Sequence, residues 1–258
     1  EKVELAGTLF CFWPAQAAAD VADAAAAGPK LDVRPLRRYA SEDLRAELAH
    51  QMVLYERENK ELGIVLFPEV VERVAALNRV LTEPGGSVLL VGRPGVGRRT
   101  CFNLVCFLLR MEVFSPRVGR GYSARQLVAD LKDVVRIAGV LGQEIAVLLE
   151  DYQVVEPGML EVVNSLLSSG EVPGMFTQAE LDAMLAPLKE PYAAAGYRYR
   201  TLYTFFLSRV QRNLHLAVSL DPTHPEFHAR CESNPALFTR CTILWGDGWS
   251  PQGMAAVS

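Results

Sequence analysis

The hydrophobic positions of the chain form two recurring patterns, short apolar runs and longer stretches with helical spacing. Short apolar runs predict strands at residues 8–13, 87–91, 113–115, 145–149, 214–220 and 241–245. Apolar residues three and four positions apart predict helices at residues 41–59, 69–81, 100–111, 123–138, 159–167 and 202–211. From residue 87 onwards strands alternate with helices, which predicts right-handed crossovers and a mostly parallel sheet covered on both faces.

The first forty residues differ in composition from the rest of the chain. Residues 15–28 are rich in alanine and fit either a weak helix or a flexible linker, which ends at Gly28-Pro29. We therefore expect an N-terminal strand and alanine-rich linker in residues 1–40, and one α/β domain in residues 41–258. Because the chain begins mid-pattern at Glu1 and stops soon after a predicted strand, we also expect it to be a piece of something larger.

A glycine cluster connects the strand predicted at 87–91 to the helix predicted at 100–111. Gly92 and Gly97 have the spacing of the Walker A pattern G-x-x-x-x-G-K-[ST], with Gly95 between them. In that pattern backbone N–H groups surround the phosphates, the lysine reaches the β and γ oxygens, and the hydroxyl binds Mg²⁺. Such a cluster can be a simple tight turn, but here the strand, the spacing and the following helix agree. The sequence therefore predicts a phosphate-binding loop.

Two residues of this loop depart from the Walker A pattern. Arg98 stands in the lysine position, where it keeps the positive charge and can form paired hydrogen bonds with phosphate, although it is bulkier. Arg99 stands in the hydroxyl position and has no lone pair with which to coordinate Mg²⁺. Thr100 lies one residue beyond the metal position, so we expect it closer to the α-phosphate. The loop thus predicts phosphate binding with altered metal chemistry.

Acidic residues follow two of the predicted strands. Glu150 and Asp151 come directly after the strand at 145–149, where phosphate-loop ATPases place one acid for the Mg²⁺ shell and a second that activates water. The usual order is Asp then Glu, so both carboxylates are displaced here; a solvated acidic turn is the alternative. Asp221 follows the strand at 214–220, where it would put negative charge beside phosphate, and a plain strand-end turn is nearly as well supported.

Composition excludes several other classes of function. The net charge is −4 and there is no basic block, which argues against binding to a nucleic-acid backbone. The 5 cysteines are scattered without a C-x-x-C pair, so we expect reduced thiols and a cytosolic protein. No apolar run approaches the length of a membrane span, so we expect no membrane partner.

Seven segments together resemble a known family. They are residues 50–58 (HQMVLYERE), 65–81, 89–100 (LLVGRPGVGRRT), 148–155 (LLEDYQVV), 164–176, 212–216 and 232–241. The set resembles an AAA+ module of a dynein heavy chain, most closely the fourth module of the ring in the cytoplasmic dynein-2 type, the intraflagellar transport dynein. The resemblance implies a three-layer α/β P-loop NTPase fold, the AAA+ large subdomain. This fold has a mostly parallel sheet, helices on both faces and a helix/hairpin insertion that starts near residues 170–176.

The resemblance also implies roles for individual residues. Glu150 and Asp151 would form the Walker B pair, with Glu150 binding Mg²⁺ through water, and Asp221 would lie at the sensor position where the family has asparagine. Arg240 would be the arginine finger, which acts in the nucleotide site of the neighbouring module. The implied nucleotide-contacting residues are Val65, Leu66, Phe67, Gly92, Pro94, Gly95, Val96, Gly97, Arg98, Arg99, Thr100 and Cys101, the first three being the N-loop that packs on adenine.

The function implied is that of a nucleotide-binding module of a dynein-2-like microtubule motor for retrograde intraflagellar transport. It would bind ATP or ADP, with or without Mg²⁺, and regulate or stabilise the motor ring. Its partners would be the neighbouring AAA+ modules of the same heavy chain, with the microtubule and the dynein subunits reached only through the intact motor. We expect it in the cytoplasm, the cytoskeleton and the cilium, and we expect the family's small helical lid to be absent from this chain.

Departures at Arg98, Arg99, the Glu150-Asp151 pair and Asp221 all weaken the hydrolysis machinery, so we expect little or no ATP hydrolysis. Two alternatives stay open. One is a nucleotide-free structural spacer of the ring, in which Arg98 or Arg99 pairs with Glu150 or Asp151 and fills the phosphate site. The other is a slow but active ATPase, in which the arginines replace the lysine and the displaced acids still bind Mg²⁺.

Overall fold

A computed structural model describes residues 8–12, 36–58 and 65–246 of the chain, except for the side chain of residue 197. These residues fall into two compact units. The first contains residues 8–12, 36–58, 65–82 and 99–110, and the second contains residues 83–98 and 111–246. The predictions for residues 15–28 and for Ile64 lie outside the described residues.

The first unit combines a two-stranded antiparallel sheet with helices. Strand β1 (Thr8–Cys11) pairs with β2 (Arg37–Ala40), with Thr8 opposite Ala40. β2 runs directly into helix α1 (Ser41–Glu58), which is followed by α2 (Pro68–Thr82). The predicted strand at 8–13 and both predicted helices are confirmed. β2 was not predicted, because four residues that include two arginines carry no apolar alternation.

The helices of this unit begin where local chemistry favours a helix. Glu42 and Asp43 lie in the first turn of α1, where carboxylates interact well with the positive end of the helix dipole. α2 starts at Pro68, whose missing N–H is no loss in a first turn. Asn78 is buried on α2, and its side-chain oxygen accepts a 2.7 Å hydrogen bond from the Phe12 backbone. That bond fastens the end of β1 to the helix.

The second unit contains a five-stranded sheet in which every pair of neighbours is parallel. Its strands are β3 (Ser87–Gly92), β4 (Glu112–Phe114), β5 (Ile145–Glu150), β6 (Leu214–Leu220) and β7 (Cys241–Gly246), in the order β4-β5-β6-β3-β7. The chain leaves β3 for the far edge of the sheet, and the strand order reverses beside β3. Ligands of open α/β sheets bind at such reversals, beyond the carboxyl ends of the strands.

Both faces of this sheet are buried, which explains why its central strands are continuous apolar runs. On one face Val147 and Leu216 pack with helices α4 (Ala124–Arg136), α5 (Pro157–Ser169) and α8 (Leu202–Asn213) in a single core. On the other face Val88 and Leu148 are at most 1% exposed. The predicted α/β architecture with a parallel sheet is therefore confirmed.

Helix α4 does not continue to residue 138 as an α-helix, as the sequence predicts, but changes to a π-helical turn over Ile137–Leu141. The turn packs closely on α8, since a Cβ added to Gly139 would lie 2.2 Å from the Phe206 ring. Arg209 donates hydrogen bonds to the carbonyl oxygens of Gly139 (2.6 Å) and Val140 (3.1 Å), which satisfies backbone groups of the altered turn.

Between α5 and α8 the chain forms an insertion of short helices, α6 (Gln178–Leu185) and α7 (Lys189–Ala194), with no strand among these described residues. Lys132 of α4 forms a 2.7 Å ion pair with Glu180, which also caps the start of α6. Two further short helices, α9 (Phe227–Ser233) and α10 (Ala236–Thr239), lie between β6 and β7. None of the helices within the described ranges is both long and apolar enough to cross a membrane.

Candidate functional site

The glycine loop forms at the carboxyl end of β3, as predicted. Gly92 is buried at the strand end, where a Cβ would lie 2.7 Å from the carbonyl oxygen of Gly246, so only glycine fits there. Gly95 and Gly97 have φ of 86° and 73°, the left-handed region that favours glycine. Val96 is 4% exposed and anchors the loop, whereas residues 93–95 face solvent. The loop is thus fixed at its base and open at its top.

The side chain of Arg98 turns back towards the sheet. Its Nη1 donates to the carbonyl oxygen of Leu220 at 2.6 Å and to that of Leu90 at 3.4 Å. These carbonyls belong to neighbouring strands, β6 and β3, near their carboxyl ends. The guanidinium therefore supplies positive charge beneath the loop, where the partial negative charge of two strand ends meets.

The two acids after β5 lie at the same edge of the sheet as the loop, because Glu150 pairs in register with Ser219 of β6 and Leu220 with Val91 of β3. Glu150 is half-buried, and its carboxylate accepts a 3.2 Å hydrogen bond from the Tyr152 hydroxyl. Its backbone N–H donates to the buried side chain of Gln153 at 2.7 Å. The strand tip is therefore held in a defined turn.

Asp151 forms an ion pair that the sequence analysis did not predict. Nη1 of Arg230, on α9, lies 2.6 Å from the Asp151 carboxylate, and the two side chains are only 12% and 19% exposed. Nη2 of Arg230 donates to Glu226 at 3.0 Å and to the carbonyl oxygen of Val154 at 3.4 Å. The charge of Asp151 is thus balanced by an arginine of the same module, and its water-activating role stays a prediction.

Asp221 forms a tight turn at the end of β6. Its carboxylate accepts hydrogen bonds from the backbone N–H of Thr223 at 2.8 Å and from the Thr223 hydroxyl at 2.7 Å. Partial burial alone would raise the pKa of Asp221, but these bonds and the positive charges of Arg98 and Arg93 outweigh it, so the pKa lies below its usual value. Asp221 is therefore ionised near the loop, while its sensor role stays a prediction.

Arg240 lies at the opposite end of the sheet from the glycine loop. It directly precedes β7, whose first residue, Cys241, pairs with Ser87 at the start of β3. Its exposed side chain lines a cleft of about 350 Å³ together with Gly85, Gly170 and other residues of this end. Arg240 is therefore remote from the loop of its own module, and its role as a finger in a neighbouring module stays a prediction.

The remaining predicted contacts belong to the first unit. Leu66 and Phe67 are 8% and 5% exposed, whereas Val65 is 41% exposed and faces a groove of about 580 Å³ along α1. Arg99 is exposed and Thr100 half-buried at the start of helix α3 (Arg98–Leu108). Cys101 is fully buried, and burial raises the pKa of its thiol to about 11. Adenine and nucleotide contacts by these residues stay predictions.

The residues near the loop do not fit a Mg²⁺ site. Arginine, which has no acceptor atom, replaces the usual hydroxyl at position 99, so one of the two usual protein contacts of the ion is missing. Within residues 8–12, 36–58 and 65–246 no group of three or more His, Cys, Asp or Glu side chains is arranged to bind a metal ion. A water-mediated contact of Glu150 with Mg²⁺ stays a prediction.

Comparison with known proteins gives consistent matches. Residues 62–258 match the family described as P-loop containing dynein motor region D4. The chain is 44% identical over 224 residues to cytoplasmic dynein 2 heavy chain 1 of Homo sapiens, which covers 87% of the chain and 5% of that protein. It is 46% identical over 223 residues to the protein of the same name from Chlamydomonas reinhardtii, covering 84% of the chain and 5% of that protein.

A more distant relative is the cytoplasmic dynein heavy chain of Dictyostelium discoideum, 31% identical over 229 residues, which are 88% of the chain and 5% of that protein. The chain therefore spans about 5% of the length of the curated relatives it matches. The parallel sheet, the glycine loop after β3 and the acids after β5 agree with the family match. The chain belongs to the family of the P-loop containing dynein motor region D4.

Proposed function

We propose that this dynein motor module binds ATP or ADP at residues 92–98 and hydrolyses ATP very slowly or not at all. The observation that carries the proposal is the Asp151–Arg230 ion pair, which lies at the same edge of the sheet as the glycine loop. The loop supports binding, and the ion pair argues against turnover. In this proposal the Walker A loop keeps its backbone conformation, while the side chains that would support hydrolysis are changed.

Nucleotide binding is supported by the exposed top of the loop and by the charge around it. Gly95 is exposed in the left-handed conformation, and a Cβ added to it would meet no atom within 4 Å, so the space above it is open. Arg93 and Arg98 place positive charge at the carboxyl end of β3. Phosphate groups bind at such strand ends because backbone N–H groups and cations converge there.

Loss of hydrolysis follows from the state of Asp151. Phosphoryl transfer to water is assisted by a side chain that orients or deprotonates the attacking water, and the resemblance gives this role to a carboxylate. In this module Oδ1 of Asp151 accepts a charge-assisted hydrogen bond from Arg230, which makes the carboxylate a weaker base towards water. Asp221, at the neighbouring strand end, is bonded to Thr223 and carries negative charge that would repel a γ-phosphate.

We propose that this module belongs to the ring of a dynein-2-like microtubule motor for retrograde intraflagellar transport, which the names of the matched dynein heavy chains support. It would regulate or stabilise that ring, while other modules drive the motor. Neighbouring modules would contact it directly, with Arg240 reaching the adjoining nucleotide site. Microtubules and dynein subunits would interact only through the intact motor, in the cytoplasm, the cytoskeleton and the cilium.

The experiment that tests this function combines calorimetric titration of the chain with ATP and ADP and an assay of phosphate release. We expect heat of binding for at least one nucleotide, and phosphate release indistinguishable from background. Arg98→Met should weaken binding at least about tenfold, which corresponds to one charge-assisted contact. Arg125→Met, which removes an exposed arginine of α4, is the matched control and should leave affinity unchanged. Absence of heat with both nucleotides would refute the proposal.

The structural spacer remains the second candidate, because Arg98 already donates to protein carbonyls beneath the loop. A spacer would retain no nucleotide through purification and would give no heat on titration. An active but slow ATPase would instead release phosphate above background, and Glu150→Gln would abolish that release. The same assays therefore separate the three functions.

A further inference from the structure

The charges around the glycine loop are balanced in an unusual way. In metal-dependent P-loop sites, Mg²⁺ is bound by the Walker A hydroxyl and by an acid at a neighbouring strand tip, and it neutralises the β and γ phosphates. Here residue 99 is an arginine, which carries N–H donors and no acceptor. The first of the two protein contacts on which the ion depends is therefore missing.

The acid expected to be the second contact is Glu150, and the carboxylate that follows it, Asp151, is bound by the protein itself. The Asp151 carboxylate and the Arg230 guanidinium are 2.6 Å apart and almost removed from solvent. An ion pair in such surroundings interacts more strongly than one in water, since solvent screens it less. The guanidinium therefore balances the charge of Asp151 at this edge of the sheet, so less positive charge has to come from a metal ion.

Positive charge is supplied to the loop by arginines. Arg98 lies beneath the loop on the carbonyl oxygens of Leu90 and Leu220, and Arg93 lies in its exposed top. The charges of both residues reach Asp221, whose pKa they help to lower. Guanidinium groups form paired hydrogen bonds with phosphate oxygens, which makes them suitable replacements for a bound cation.

We propose that this module binds its nucleotide as a metal-free polyanion, with Arg98 and Arg93 balancing the phosphate charge and Arg230 keeping Asp151 neutralised. Arg230 is thus a positioning residue, which acts on the nucleotide through Asp151. The inference rests on the nucleotide binding proposed above. According to this inference, the module binds the free nucleoside di- or triphosphate and does not require its magnesium complex.

The test measures the dissociation constants of ADP and ATP for the chain in excess Mg²⁺ and again in EDTA. We expect the two values to agree within about threefold for each nucleotide. Binding that is more than about threefold tighter with Mg²⁺ would overturn the inference and leave the proposed function intact. Absence of binding in both buffers would overturn the proposed function and this inference together.

A variant series tests the part played by Arg230. Arg230→Gln frees the Asp151 carboxylate, so affinity in EDTA should fall at least about fivefold and should be partly recovered by Mg²⁺. Adding Asp151→Asn to this variant removes the carboxylate and should restore metal-free binding. Arg136→Gln breaks a surface ion pair with Asp133 and serves as the control without effect.

A purely structural role for Arg230 would weaken binding in both buffers equally. Arg230→Gln with equal losses in EDTA and in Mg²⁺ would therefore refute its part in charge balance. Thermal unfolding of each variant shows whether it is folded, and Arg230→Lys, which keeps the charge, should retain metal-free binding. Measuring the unaltered chain in both buffers tests the inference even if a variant fails to fold.

Discussion

Nη1 of Arg98 lies 2.6 Å from the carbonyl oxygen of Leu220, so the cation of the phosphate loop is bonded to the end of the neighbouring strand. The arginine therefore contributes to the joint between β3 and β6 as well as to the charge of the site. A lysine would keep the charge, but it would have fewer donors and no planar fork. A substitution at residue 98 therefore tests whether the loss of hydrolysis is caused by the arginine of the loop or by the state of Asp151.

We predict that Arg98→Lys, which restores the Walker A lysine, does not restore hydrolysis. Nucleotide affinity should stay within about threefold of the unaltered chain, because the charge remains. Phosphate release should stay at background, because Asp151 is still bound by Arg230. The measurement is phosphate release under saturating ATP. A rise of more than about tenfold would show that the block lies at residue 98 and not at the acid.

We predict that Arg230→Met lowers the free energy of unfolding by about 2–4 kcal/mol, because it leaves a largely buried carboxylate without its cation. Adding Asp151→Asn should recover at least about 1 kcal/mol, since the remaining side chain carries no charge. Urea denaturation of the two single variants and the double variant measures this coupling.

The control for that prediction is Arg136→Met. Arg136 and Asp133 also form an ion pair, but their side chains are 61% and 80% exposed, so the loss should be below about 0.5 kcal/mol. Equal losses in the free energy of unfolding for the two variants would contradict the claim that burial strengthens the Asp151–Arg230 pair.

The glycine loop could be predicted from sequence because all its determinants are local. The buried strand, the glycines that need a left-handed backbone, and the following helix lie within 22 consecutive residues, from Ser87 to Leu108. The Asp151–Arg230 pair could not be predicted, because its members are 79 residues apart and meet only after β6 is in place. Near Arg230 in the sequence, Glu226 lies four residues earlier and predicts an ordinary helical ion pair, which gives no indication of the contact with Asp151.

The helix/hairpin insertion was expected from the resemblance, but its helices could not be located in the sequence, for a different reason. α6 contains no buried residue, so it shows no apolar stripe by which a helix is recognised. Its start is set by polar chemistry instead, with Glu180 accepting from the Thr177 backbone at 2.7 Å and pairing with Lys132. The capping box of Thr177 and Glu180 is a local signal, whereas the ion pair with Lys132, 48 residues away, could not be predicted from the sequence.

We predict that the module loses stability as the pH falls below the ordinary histidine value of 6.5. His215 is fully buried on β6, and its Nδ1 donates to the carbonyl oxygen of Gly86 at 2.8 Å. Burial lowers the pKa of His215, which the carbonyl and the charge of Glu144 only partly offset. The unfolded chain therefore binds a proton more readily than the folded one, so protonation favours unfolding at acidic pH.

The measurement is urea denaturation between about pH 8 and pH 5, where one such group contributes a slope of at most about 1.4 kcal/mol per pH unit. His215→Gln should reduce this slope. His228→Gln, which changes an exposed histidine of α9, should not. Identical slopes for His215→Gln and the unaltered chain would show that other groups cause the acid sensitivity.

We predict that Arg240→Ala affects the neighbouring module and not its own. Arg240 is exposed at the amino end of the sheet, away from the glycine loop, so nucleotide affinity of this module should change less than about twofold. In the intact heavy chain, hydrolysis at the adjoining nucleotide site should fall at least about a hundredfold if that site depends on an arginine from across the interface. Arg212→Ala, which alters another exposed arginine at the same end of the sheet, is the matched control. Equal effects of the two variants on the adjoining site would assign the loss to surface charge and remove Arg240 from the finger position.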